Sequence, residues 1–224
     1  MTRPRPRSRP APHRVMTAPA LRRLLRDSAG VALVEFAFAA PIFLTLILGG
    51  LELTNLALAH LRVSQIAMTV ADDAGRVATG IDEANIYELF AGAEVIGRSM
   101  DFERNGRIVL SSLESNGRSG GDAGQMIRWQ RCWGDGDFAP AYGTQGTGEN
   151  NAELAQGMGP AGNRVTSLPD TAVMFAEVTY VYQPLIATGF FDPPTIRYES
   201  AFNVRGRQNN VISNTQSLAR FTCG

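Results

Sequence analysis

The chain contains no lysine, and its 224 residues include only two histidines and two cysteines. Each scarcity removes a class of chemistry. Without lysine there is no Ser–Lys dyad and no phosphate-loop lysine. The histidines are His13, near the start, and His60, just past the one long apolar run, so the region beyond has no imidazole to act as a general base. Cys132 and Cys223 are spaced neither as a CxxC pair nor as zinc ligands. Gly143-Thr144-Gln145-Gly146-Thr147-Gly148 lacks the dinucleotide spacing and follows no clear strand, and Asp135-Gly136-Asp137 reads as a turn rather than a calcium site. Carboxylate-only catalysis is the one enzymatic route this inventory leaves open. The reading is a non-enzymatic protein with no cofactor, no metal and no small-molecule substrate.

What the chain does have is one apolar run, VALVEFAFAAPIFLTLILGGL from Val31 to Leu51, in which only Glu35 and Thr45 are polar. At about 1.5 Å per residue it spans roughly 31 Å, the hydrocarbon thickness of a bilayer. A core helix of a soluble protein is rarely apolar on every face over that length. The run therefore predicts a transmembrane helix over 31–54. Glu35 is its anomaly, because a carboxylate in lipid costs roughly 3 kcal/mol on insertion scales unless it is protonated, paired or interfacial. Two readings stand side by side: a functional carboxylate, or a residue at headgroup level. Pro41 removes one helix hydrogen bond and marks a place for a kink.

Charge orients the run. Arg3, Arg5, Arg7, Arg9, Arg14, Arg22, Arg23 and Arg26 precede it, opposed only by Asp27. Beyond residue 30 there are 13 arginines against 20 acids, a formal −7, so an overall net charge of zero conceals a basic arm and an acidic body. Positive charge beside a first membrane segment holds that end in the cytoplasm, which places the body in the periplasm. The arm RPRPRSRPAPHR has the arginine density of a phosphate binder, but it is short, proline-spaced and without aromatics, so we read residues 1–20 as a disordered topology signal and 21–30 as a basic leader, with no nucleic-acid partner. A cleaved secretory signal is a rival reading, since Ala57-Leu58-Ala59 resembles a peptidase site. Against it, the run exceeds an ordinary h-region, Glu52 intervenes, and the helical pattern continues through the triplet.

Past the membrane, Leu56, Ala59, Val63, Ile66, Val70, Ala74 and Val77 recur at helical spacing, predicting an amphipathic stalk over 55–80 that packs on the protein's own domain. Asp82 is an N-cap for a second helix with Ile86, Leu89, Phe90, Ala93 and Ile96 on its apolar face and Gly97 at its end, and Ile81 is placed to staple onto Ile86. The period then changes to two. Strands are expected at Arg107–Leu113, Gln125–Trp133, Thr171–Tyr182 and around Ile196–Arg205, with a long exposed loop between Trp133 and Thr166. Residues 81–224 are thus an α+β domain, a helix on a mainly antiparallel sheet. In an oxidising periplasm Cys132 and Cys223 are read as a bridge that pins the tail to the 125–133 strand.

Two stretches resemble a known family. The order basic residues, Gly30, Val31-Ala32-Leu33-Val34, Glu35-Phe36 resembles the processing site of type IV pilins and pseudopilins. More narrowly, RRLLRDSAGVALVEFAFAAPIFLTLILGGLEL is similar to the TadE-like proteins of tight-adherence (Flp pilus) systems. Tyr182-Gln183-Pro184-Leu185-Ile186 and Ile196-Arg197-Tyr198-Glu199-Ser200-Ala201 resemble that family's C-terminal strand–"PL" loop–strand signature; residues 99–170 match nothing in it. The resemblance implies a pilin-like fold and a prepilin peptidase that cuts after Gly30 and leaves Val31 as the new N-terminus. It implies an assembly role for Glu35 and Phe36. The α-amine of one subunit would meet Glu35 of a neighbour in low dielectric, and an offset subunit would leave both charges unpaired. The partners implied are the peptidase, other pilin-like subunits, the pilus assembly platform and membrane lipid. The location implied is the bacterial inner membrane, as a single-pass protein that stays there or enters the pilus. The alternative is an unprocessed single-pass membrane protein with a periplasmic binding domain.

Overall fold

A computed structural model describes residues 29–186, 192–207 and 209–223. The basic arm, most of the leader and the apolar loop at 187–191 lie outside the described residues. The chain divides into two compact units, Met1–Gly50 and Leu51–Gly224, and one helix, α1 (Ala29–Arg76), carries the backbone from the first into the second.

In the first unit α1 shows the all-round apolar surface that its composition dictates. Leu33, Phe36, Phe38, Ile42, Phe43, Leu44 and Leu46 are all exposed. α1 is the helix among the described residues that is long and apolar enough to cross a membrane, and none of its most apolar window is buried by the chain itself. Pro41 sits inside it without ending it. One turn later the Thr45 hydroxyl donates to the Pro41 carbonyl at 2.7 Å.

The second unit begins with the stretch of α1 from Leu51 to Arg76. Here the surface changes from apolar all round to a single stripe: Ala59, Val63, Ile66, Ala67, Val70, Ala71 and Ala74 are buried. These alanines share one buried cluster with Ile108, Leu110, Met174 and Val178 of the sheet. The helix ends at Arg76, a little before the expected Gly80, and Gly80 then takes a left-handed backbone (φ 108°) in the turn that follows. α2 (Glu83–Gly97) starts on a capping box: Asp82 accepts from the Ala84 N–H, and the Asn85 side chain accepts from the Asp82 N–H. Ile81 and Ile86 are buried in the same cluster, as the staple requires. A short turn, Arg98–Met100, and α3 (Phe102–Asn105) lead into the sheet.

Four strands, β1 (Gly106–Ser115), β2 (Gln125–Trp133), β3 (Ala172–Val181) and β4 (Thr195–Asn203), form one sheet in the order β2-β1-β3-β4, antiparallel throughout. The fold class is α+β. On one face Ile108, Leu110, Trp129, Met174, Ala176, Val178 and Tyr180 pack with α1, α2 and Phe102. The opposite face is where structure and sequence reading part. The segment between Trp133 and Thr166 is not simply an exposed loop: its Leu154 and Met158 are buried on Leu113, Ile127, Val173 and Phe175. β1 and β3 are consequently covered on both faces, which period-two patterning does not reveal.

The described residues of the tail from Arg205 onward include no helix or strand and are held by other elements, Ser213 bridging to Asp82. Cys132 and Cys223 form a disulfide across 91 positions, and the Cys132 N–H donates to the Phe221 carbonyl at 2.8 Å. The Phe221 ring packs against Tyr87 and Phe90 of α2. Arg131 of β2 and Glu83 at the first turn of α2 form a buried ion pair, 5% and 1% exposed, a placement that also suits the positive end of the helix.

Candidate functional site

The residues of the expected processing and assembly motif all lie on the first turns of α1. Gly30, Val31, Glu35 and Phe36 are exposed, Val31 at 60% and Phe36 at 69%. Among the described residues a side chain added at Gly30 would meet nothing within 4 Å, so their packing places no demand for glycine there. Val31 and Glu35 stand four positions apart, one turn of the helix on the same face. Among the described residues no hydrogen bond or ion pair engages the Glu35 carboxylate. The motif is therefore exposed among the described residues, and none of them neutralises its charge.

A second carboxylate behaves differently. Glu52, immediately after the apolar run, is an acceptor at the centre of a cluster within the second unit. It takes the Tyr182 hydroxyl at 2.6 Å, the Leu185 N–H at 3.0 Å and the Ile186 N–H at 3.1 Å. Asn55, one turn further along α1, donates to the Tyr182 oxygen at 2.7 Å. Burial, then the Glu52 carboxylate, pushes the Tyr182 hydroxyl up to about 12, so it remains a donor at any physiological pH. The Tyr182 N–H donates to Pro194 across the base of the β3–β4 connection. The turn Gln183-Pro184-Leu185 is thus fastened to the helix at the end of its apolar run. Sequence reasoning passed over Glu52, weighing it only against a signal-peptide cut. The available signal was a carboxylate bordering the run and a tyrosine opening the "PL" turn, two features 130 positions apart that only tertiary structure joins.

Other polar groups pair across the sheet. Glu177 of β3 faces Glu199 of β4 in register, with Arg197 at 2.8 Å from both. Burial pushes Glu177 up to about 7, against the Ala141 N–H and Arg197, which hold it down. Tyr142 donates to Glu199 at 2.9 Å, and burial followed by that carboxylate raises it to about 12. Gly143–Gly148 is a run of turns bonded to β2 at Ile127, and Asp135 and Gly136 bond to the backbone of Glu103 and Gly106. His60 lies 3.3 Å from the Tyr198 hydroxyl. Among the described residues no group of three or more His, Cys, Asp or Glu is placed to hold a metal.

Comparison with known proteins adds one positive finding. The family model for TadE-like proteins matches residues 30–72, from the expected cleavage glycine through most of α1. No curated protein and no solved structure matches the chain.

Proposed function

We propose, taking the TadE-like character of residues 30–72 as the premise, that this chain is a membrane-anchored component of a tight-adherence (Flp) pilus assembly system. The match and a helix long and apolar enough to span a bilayer both fit that reading. The finer assignment is a pseudopilin. A prepilin peptidase cuts after Gly30, Val31 becomes the N-terminus, and Glu35 and Phe36 set the register of assembly. The arginine-rich start stays in the cytoplasm and the α+β domain projects into the periplasm. The role is structural rather than enzymatic, exercised through other pilin-like subunits and the assembly platform.

The observation that carries the reading is the unsatisfied motif itself. Among the described residues, Gly30 is glycine without any steric demand and Glu35 is a carboxylate in an apolar surface without a partner. Both features make sense when the ligand is another molecule: the peptidase for Gly30, a neighbouring amine for Glu35. N-terminal sequencing of the protein from cells with and without the peptidase tests this. Val31 should come first only when the peptidase is present. An intact Met1 in both strains would remove the pseudopilin assignment, and a start at His60 would mark an ordinary secretory cut.

A further inference from the structure

Within the second unit a cavity of about 610 Å³ opens between α1, the Arg98–Met100 turn, α3 and the Tyr182–Leu185 segment. Three arginines line it, Arg62, Arg98 and Arg104, against one carboxylate, Asp101. Arg104 meets Asp101 only at 3.7 Å, and Arg98 meets Glu94 only at 3.6 Å, with the arginine side chains 79% and 73% exposed. Such pairs hold little energy and are exchanged readily for a better anion. The cavity therefore carries an excess of guanidinium groups, the donors best suited to phosphate oxygens.

Its position narrows the ligand. Asn55 on its wall lies four residues past Leu51, the last residue of the apolar run, about 6 Å of helical rise. The polar layer of a bilayer extends roughly 5–7 Å beyond the hydrocarbon on each side. Leu185 at the cavity mouth is 65% exposed, and its N–H bond to Glu52 holds it level with the end of that run. Arg62 is seven residues beyond Asn55, about 10 Å further along the helix axis, on the side of the cavity away from the apolar run. An exposed leucine at the lipid level with guanidinium groups beyond it reproduces the polarity order of a phospholipid.

We propose that this pocket binds the phosphate-bearing headgroup of an anionic membrane lipid. The proposal rests on the membrane anchoring of the chain and adds a lipid-selective site to it.

The test uses the full chain. Native mass spectrometry from detergent would count bound phosphatidylglycerol against phosphatidylcholine for the wild type, Arg98→Gln/Arg104→Gln, Arg62→Gln, and a control of equal charge change, Arg118→Gln/Arg164→Gln. The wild type should prefer phosphatidylglycerol. The double pocket variant should bind it roughly tenfold or more weakly, with an unchanged Tm, and the control within roughly twofold of wild type. Equal weakening in the control, or no preference in the wild type, would overturn the pocket. Inorganic phosphate competing at concentrations comparable to the lipid would overturn the lipid assignment in favour of a soluble anion. Flotation with pure phosphatidylcholine vesicles separates the premise. A chain that fails to float overturns anchoring and this proposal together, whereas one that floats without preferring phosphatidylglycerol overturns this proposal alone.

Discussion

The Glu52 carboxylate accepts the Tyr182 hydroxyl at 2.6 Å, joining the end of the apolar run to the turn after β3. Hydrogen bonds to a charged acceptor contribute about 1.5–3 kcal/mol, and Glu52 makes two more to the Leu185 and Ile186 N–H groups. Glu52→Ala should therefore destabilise the domain by about 2 kcal/mol and Tyr182→Phe by about 1, with the double variant costing less than the sum. Limited proteolysis should cut sooner in the Gln183–Ile186 turn in either variant. Additive effects with unaltered cleavage would mean that the turn is held by something else.

Glu35 separates assembly from processing. If its carboxylate pairs with the α-amine of a neighbour, Glu35→Ala should still be cut after Gly30 and still reach the membrane, since removing the charge eases insertion. Association should fail, because the partner amine is left unpaired in low dielectric, a loss of a few kcal/mol. Glu35→Asp, one methylene shorter, should be intermediate. Mature size on a gel and crosslinking to other pilin-like subunits read the two steps independently. Crosslinking and piliation at the wild-type level in Glu35→Ala would leave Glu35 as an interfacial residue with no part in assembly.

The Cys132–Cys223 bridge closes a loop of 91 positions and anchors the tail to β2. In the chain-entropy description a loop of that size contributes about 4–5 kcal/mol. Alkylation of the protein without reductant should label neither thiol. Reduction should lower Tm and release the tail first, exposing Phe221 from its contacts with Tyr87 and Phe90. Ready labelling of both cysteines without reductant is the result that counts against it.

Glu177 predicts the direction of a pH effect. Burial raises its folded-state value to about 7 from the ordinary 4.5, so the folded protein holds this proton more tightly than the unfolded chain. Its contribution to stability is full below about pH 4.5 and is lost as the pH rises through about 7. Glu177→Gln, which cannot ionise, should match the wild type near pH 4.5. Above pH 7 it should exceed the wild type by a margin on the order of 2–3 kcal/mol. Denaturant unfolding at both pH values checks the sign, and parallel behaviour of the two proteins across that range would contradict it.

Much of the architecture is local and was therefore legible in one dimension. The apolar run from Val31, the stripe from Ala59 to Ala74, the Asp82 cap and the alternation through Ala172–Tyr180 each follow from a short-range period or a single capping group. The TadE-like resemblance of the helix start was legible for the same reason, since the residues that carry it are neighbours in sequence. What sequence could not show is which distant groups meet. Leu154 and Met158 sit in a stretch dense in turn residues with no period, and only the sheet face they cover makes them core. Glu52 and Tyr182, Glu177 and Arg197, and the three arginines around Asn55 are brought together by strand pairing and by the way α1 lies on the sheet. Local pattern selects helix or strand because backbone geometry repeats every few residues. Pairing between residues a hundred positions apart depends on how those elements pack, and the tertiary structure alone decides it.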